Sequence, residues 1–238
     1  MIVKEKVVII LIFIMGFSLW ACASKPAKEA KPETTPGKPA EVPATTSAET
    51  KPAQMNPIWT VAHQGWNEFK DPAFAGSTND LSCNSCHPYG GKDTSPNAKA
   101  TGTLLLKATS FPKVVTMAGK NEITLDEMVN FCITNPLKGT ALDKDDPKMK
   151  SMVGLLKVMV PRSLKDDALP IINAKCAGCH SGSSPAAGVD LTNKETAVQE
   201  AVKVRELVDV GKMPKGGTLT DQEYLTLIIW GTTEVAKK

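Results

Sequence analysis

Cys83-Asn84-Ser85-Cys86-His87 and Cys176-Ala177-Gly178-Cys179-His180 decide how the rest of the chain is read. In each, two thiols stand three positions apart and a histidine follows at once. That spacing lets both sulfurs reach the two vinyl groups on one edge of a haem, while the histidine sits beneath the iron as proximal ligand. The small residues between the cysteines leave room for the ring to lie against the turn. A zinc site needs four ligands gathered together, and a redox CxxC does not require the histidine. Two copies therefore predict two covalently bound haem c groups, with Cys83, Cys86, Cys176 and Cys179 as attachment points and His87 and His180 as iron ligands.

Around these motifs the chain divides into two stretches, 57–162 and 166–238, separated at Pro161-Arg162-Ser163. Each carries one CxxCH. The readable elements are helical. One helix is predicted over 58–70, ending before Asp71-Pro72. Thr124-Leu-Asp-Glu127 is a capping box that opens a second. Asp146-Pro147 starts a third, which Pro161 stops. In the second stretch helices are expected at about 166–176, 194–210 and 221–235, with Thr220-Asp-Gln-Glu223 as another capping box and Gly211 at a C′ position. No segment shows sustained strand alternation. The expected class is all-α, two tandem domains each built around one haem.

An iron used for electron transfer commonly has a sixth ligand. Met213-Pro214 lies in a glycine-rich loop, Gly211 to Gly217, just ahead of the last predicted helix. Proline fixes the loop beside the sulfur, and a thioether raises the potential. Lys212 is a rival ligand, and a solvent-facing Met213 is the bland alternative. Residues 166–238 resemble a class I cytochrome c domain, whose pattern runs from a helix and CxxCH to a Met-Pro loop and a final helix. Tyr224 and Trp230 fall on that final helix, as aromatics do in the family.

In the first stretch, Leu125, Met128, Val129, Cys132 and Ile133 fall at i, i+3, i+4, i+7 and i+8, one inward face of a helix. Cys132 thus faces the core. A buried free cysteine is often inert, and Met149, Met152 and Met159 compete as iron ligands, although their spacing suits core packing. Leu81-Ser-Cys-Asn-Ser-Cys-His-Pro88, Phe111-Pro112, Thr124 to Cys132, Gly139, Leu142 and Asp146-Pro-Lys-Met149 resemble the N-terminal domain of dihaem thiosulfate dehydrogenases. The haem-binding subunit of the sulfur-oxidising multienzyme system is a more distant likeness. The resemblance covers 57–160 and implies that Cys132 is the distal ligand of the first haem and the place where substrate reacts. The family's helix reads Arg-Ile-Asn-x-Cys, whereas this chain has Met128-Val-Asn130-Phe-Cys132, and Pro136 stands where the family has Ser. The missing guanidinium is the group that would pair with a sulfur oxyanion. No Lys or Arg sits on the Cys132 helix, so a cationic clamp for such an anion would have to be formed by Lys113, Lys120 and Lys138 converging from loops. A weaker similarity, from Gly65 to His87, is to dihaem peroxidases, but the chain is short for that family. His63 receives no role.

The chain has 238 residues, 42% of them hydrophobic and only 5% aromatic, so a covalent haem would supply apolar bulk that its side chains lack. The formal charge of +3 is too small to argue for nucleic acid. Lys4 and Lys6 precede an apolar run, Val7 to Leu19, that is too short for the roughly 30 Å hydrocarbon core and reads as a signal peptide, residues 1–21. Leu19-Trp-Ala-Cys22 resembles a bacterial lipobox, which implies lipidation of Cys22. Cleavage after Ala21-Cys22-Ala23 is the rival. Ala23 and Ser24 imply the outer membrane, facing the periplasm. Residues 22–56 form a Pro/Ala/Lys-rich stretch that cannot offset its conformational entropy, hence an expected disordered tether. The expected function is electron transfer by a tethered dihaem cytochrome whose partners are other cytochromes or membrane oxidoreductases. The alternative is an oxidoreductase of thiosulfate, tetrathionate or a related sulfur anion at the first haem, with Cys132 as its catalytic residue.

Overall fold

Asn56 opens the first helix, α1 (Pro57–Lys70), by accepting the Ile58 N–H on its side chain, with proline in the first turn where its missing donor costs nothing. The computed structural model of the chain describes residues 56–90, 105–115 and 120–237. The expected signal peptide, Cys22 and the tether up to residue 55 lie outside the described residues. The other α-helices are α2 (Cys83–Cys86), α3 (Leu125–Thr134), α4 (Pro147–Val158), α5 (Leu169–Lys175), α6 (Lys194–Asp209) and α7 (Asp221–Ala236). The class is all-α.

Both capping boxes form. Thr124 and Glu127 exchange side-chain and backbone bonds at the start of α3, as do Thr220 and Glu223 at the start of α7. Asp146 caps α4. That helix stops at Val158, with Met159 as its C-cap, ahead of Pro161, which disfavours helical geometry at Val160. The helix expected over 166–176 divides into a wide π-turn at Leu164–Ala168 followed by α5. Pro170 explains the widening, since its ring would strike the carbonyl four residues back in a regular helix. One element departs from the sequence reading: β1 (Lys113–Val115) and β2 (Lys120–Ile123) pair antiparallel, with Lys113 opposite Ile123 and Val115 opposite Lys120. Three and four residues are too few to show alternation.

Helix α1 lies against α4, with Gly65 at the closest approach. A methyl there would fall 2.2 Å from the Ser151 carbonyl oxygen, and one on Gly154 would fall 3.0 Å from Val61 Cγ1. The pairings 61 with 154 and 65 with 151 run the two helices antiparallel. Ser151 Oγ donates to Glu68 across the same contact. In the second stretch α6 and α7 meet as closely, at Gly231, where a methyl would fall 2.8 Å from the Ala201 carbonyl oxygen.

Trp66, Phe69 and Phe74 from the first stretch and Ile172, Leu225 and Trp230 from the second belong to one continuous buried core. The segment joining the stretches is tied down. Arg162 N–H donates to Thr233 Oγ1 at 3.1 Å, its guanidinium lies 5.5 Å from the Trp59 ring centre, and the Ser163 N–H donates to Asp167 at 2.7 Å. Met149, Met152 and Met159 are all fully buried packing residues, as their spacing predicts. Among the described residues, no helix is long and apolar enough to cross a membrane.

Candidate functional site: two CxxCH turns and Cys132

Each CxxCH closes on itself in the same way. The His87 N–H donates to the Cys83 carbonyl at 2.9 Å, and the His180 N–H to the Cys176 carbonyl at 2.9 Å. Residues three apart on such a turn share a face, so both cysteines of each pair serve one side. In the first motif Ser82 and Ser85 form a small capping box. Asn84, inside the motif, accepts the Tyr89 N–H at 2.8 Å. That bond holds Tyr89 in the left-handed region, at φ 54°. Gly90 follows, also left-handed, and donates to the His87 carbonyl at 2.7 Å. Glycine suits this position because φ 75° strains any side chain, and an added methyl would also displace the Met159 side-chain end.

In the second motif α5 delivers Cys176 as its C-cap. The Leu191 N–H donates to the His180 carbonyl at 2.9 Å. The imidazole is fixed as well, with Nδ1 3.1 Å from the Val189 carbonyl oxygen. A carbonyl only accepts, so Nδ1 carries the proton and Nε2 keeps its lone pair. A metal-ligating histidine needs that tautomer, held by that kind of partner. The turn at Ala186–Gly188 presents the carbonyl.

Cys132 comes alongside the first motif. Burial, with Cys132 as the next contributor, pushes the Cys83 thiol up to about 12. Burial, followed by Cys86, pushes Cys132 up to about 11. Burial is the main cause at Cys83 and Cys132, and the other thiols add to it. On the α3 face, Val129 and Ile133 are buried while Leu125, Met128 and Cys132 are half-buried. Burial of this kind disfavours the thiolate, and ligation to a metal would displace the proton. Burial also raises the Cys176 thiol, with Cys179 contributing next.

The placement of α3 has a visible cause. Asn130 receives the Leu142 N–H and donates to the Leu142 carbonyl, both at 2.8 Å. Ser77 Oγ donates to the Leu137 carbonyl at 2.8 Å, and Thr140 N–H to the Ala75 carbonyl at 2.8 Å. The loop leading into Cys83 is thus laced to the end of the Cys132 helix. Pro136, exposed, joins in through its carbonyl, which accepts from Asn79 at 2.5 Å.

Met213 is half-buried in a loop folded back on α6, where the Lys212 and Met213 N–H groups both donate to the Leu207 carbonyl, at 2.9 and 3.1 Å. Lys212 itself is exposed. Lys113 and Lys120 lie on the two strands of the hairpin, and Lys138 is exposed in the turn after α3. An open cavity of about 610 Å³ is lined by Gln64, Glu68, Gly76, Leu142 and Lys148 among others, and by none of the CxxCH residues. Among the described residues, no three His, Cys, Asp or Glu side chains gather as a metal-ion cluster.

Sequence reading missed a polar cluster between the stretches. Asp209, at the end of α6, accepts from Lys70 at 2.7 Å, Trp66 Nε1 at 2.9 Å and Tyr224 OH at 2.6 Å. His63, left without a role, pairs with Asp221 at 2.5 Å and stacks on Tyr224, ring centres 4.6 Å apart. The only available signal was that 63, 66 and 70 fall on one side of α1 at i, i+3 and i+7.

A haem c group fits these residues in donor chemistry: paired thiols on a turn, a histidine whose Nε2 is free to ligate in the second motif, and a half-buried sulfur beside the first. Compared with known proteins, the chain matches no family model and no curated protein.

Proposed function

We propose that this chain is an exported dihaem c-type cytochrome that passes electrons between redox partners, other cytochromes or membrane oxidoreductases. Haem c supplies a one-electron couple at each CxxCH. Cys83 and Cys86 hold the first group and Cys176 and Cys179 the second, by thioether bonds, with His87 and His180 as proximal ligands. Cys132 and Met213 are the proposed distal ligands. The observation that supports the reading most is the His180 ring, held through Nδ1 by the Val189 carbonyl at 3.1 Å with Nε2 left to bind iron. A thiolate ligand lowers a haem's potential relative to a thioether, so electrons run from the first group to the second. Cys22 is proposed as the lipid anchor that holds the protein at the outer membrane, facing the periplasm.

The test is intact mass under denaturing conditions after expression with a haem-maturation system. Two haem masses above the polypeptide are expected, and one or none overturns the proposal. A fatty-acid probe should label the wild type and not Cys22→Ala.

A second reading has one observation in its favour, the half-buried Cys132 on the α3 helix, whose following turn is bonded to the loop that leads into Cys83. The Cys132 thiolate would attack the central sulfur–sulfur bond of tetrathionate, forming a mixed disulfide and releasing one thiosulfate. Two electrons, one through each haem, would release the second thiosulfate and restore the thiolate. Thiosulfate oxidation is the reverse, and the first site would be an oxidoreductase of either anion. Steady-state assay with both anions, followed by haem absorbance, separates the readings.

A further inference from the structure

Arg205 on α6 is only 8% exposed. Its stem lies along Gly231 of α7, where a methyl would fall 2.6 Å from Arg205 Cβ and 3.2 Å from Cδ. Its guanidinium carbon stands 3.9 Å from the centre of the Tyr89 ring. Tyr89 is two residues beyond His87, and its carbonyl accepts from Thr232 of α7 at 2.9 Å. The turn that carries the first motif's histidine is therefore held by helices from the other stretch of the chain.

A buried guanidinium is costly unless carboxylates or carbonyls take its donors. Arg205 is poorly served. Its Nε–H is buried with no partner among the described residues. The nearest carboxylate, Glu206, is 3.7 Å from Nη2, beyond good hydrogen-bond distance, and its side chain is 53% exposed. Asp209, one turn on, is committed to Lys70, Trp66 and Tyr224. The Tyr89 face supplies cation–π attraction but accepts no hydrogen bond in the guanidinium plane. Burial accordingly works against the charge, with Tyr89, Glu206 and Asp209 opposing it only in part.

The chemistry that completes such a site is a carboxylate taken by the planar fork. An anion from solution has little access to a side chain so covered. A carboxylate fixed in the protein does not need access, and haem c carries two. We propose that Arg205 binds a propionate of the haem attached at Cys83 and Cys86, so that the second stretch of the chain sets the potential of the first haem. This rests on the dihaem reading. A cation held at that place favours the ferrous state, and its removal favours the ferric.

The experiment uses the full chain with both haems loaded. A haem count by pyridine haemochrome comes first, because fewer than two haems in the wild type refutes the dihaem reading itself, independently of Arg205. Spectroelectrochemistry then compares wild type, Arg205→Lys and Arg205→Gln. In Arg205→Gln one of the two midpoint potentials should fall, by on the order of tenfold in the ferric–ferrous equilibrium, while the other stays. Arg205→Lys, which keeps the charge, should show much less. Two loaded haems with both potentials unchanged in Arg205→Gln overturns the proposal, as does an equal shift of both. An Arg205 that merely latches the two stretches would lower the melting temperature and leave both potentials where they were. If thiosulfate or sulfate moves the wild-type potential and Arg205→Gln abolishes that response, the site takes a dissolved anion and the proposal also fails. Should the glutamine variant not fold, resonance Raman of the unmodified holoprotein decides. A propionate bending band that shifts in D2O supports a bonded carboxylate, and bands at the free position for both haems overturn it.

Discussion

Trp66 on α1 donates its indole N–H to Asp209 at the end of α6, 2.9 Å away and 143 residues on in sequence. Lys70 and the Tyr224 hydroxyl reach the same oxygen, and the Asp209 side chain is only 9% exposed. A buried carboxylate with three donors is a junction: remove it and a lysine and a phenol lose their acceptor, while the indole keeps only the Tyr224 oxygen at 3.1 Å. Asp209→Ala should destabilise the protein by about 3–5 kcal/mol, read by chemical denaturation. Lys70→Met should cost much less, because the two neutral donors remain.

The same junction gives acid sensitivity with a definite sign. Burial alone would raise the Asp209 carboxyl, but the bonds from Lys70, Tyr224 and Trp66 outweigh it and hold the group below the usual carboxylate range. A group depressed in the folded state adds stability that is complete above its unfolded value, roughly 4, and disappears as pH falls through the folded value. Stability should therefore fall below about pH 4 more steeply in the wild type than in Asp209→Asn. Equal acid slopes for the two proteins would contradict the assignment.

Close helix crossings make a third, purely steric prediction. At Gly65 an added methyl would lie 2.2 Å from the Ser151 carbonyl oxygen, which is backbone and cannot rotate away. Gly65→Ala should force α1 off α4 and cost about 2 kcal/mol or more. Gly217, where a methyl would meet only Pro214 at an ordinary 3.6 Å, is the control. Thermal unfolding of the two alanine variants should separate them clearly.

The parts of this molecule that were legible in its sequence are those written locally. Capping boxes at Thr124 and Thr220, the Asp146 cap and the left-handed Gly211 at φ 66° each depend on a few adjacent residues. The inward face of α3 was legible because helical periodicity repeats over its length. The junction at Asp209 was not, since nothing local to Trp66, Asp209 or Tyr224 names the other two. Nor was the Val189 carbonyl that fixes His180, because any residue supplies a carbonyl and only the turn at Ala186–Gly188 aims it. The short β1–β2 pair escaped for want of length, and Pro170 was present but was not read as widening a helix.

Met213 tests the second haem. Its loop is anchored by two N–H groups on the Leu207 carbonyl, so truncating the side chain leaves the loop in place. Met213→Ala should remove the thioether-to-iron charge-transfer band and lower one potential only. Persistence of the band would transfer the role to another methionine. Met149, Met152 and Met159 are fully buried among core side chains and are poor substitutes.

Cys132 decides between carrier and enzyme. Burial pushes its thiol up and disfavours the thiolate, which ligation to iron would stabilise. Cys132→Ala should erase a low-spin thiolate–haem signal in electron paramagnetic resonance and leave the haem count at two. Met128 lies one turn before Cys132 on the same face, half-buried, where an arginine could meet an anion arriving at the first haem. Pro136 contributes to the fold through its carbonyl, which serine would keep. The unmodified protein should oxidise thiosulfate weakly or not at all, for want of that guanidinium. Met128→Arg with Pro136→Ser should raise the rate from this baseline if the site retains the remaining machinery. Robust turnover by the wild type would reverse the preference and make the first haem an active site, with cations from outside the α3 helix doing what an arginine on it does elsewhere.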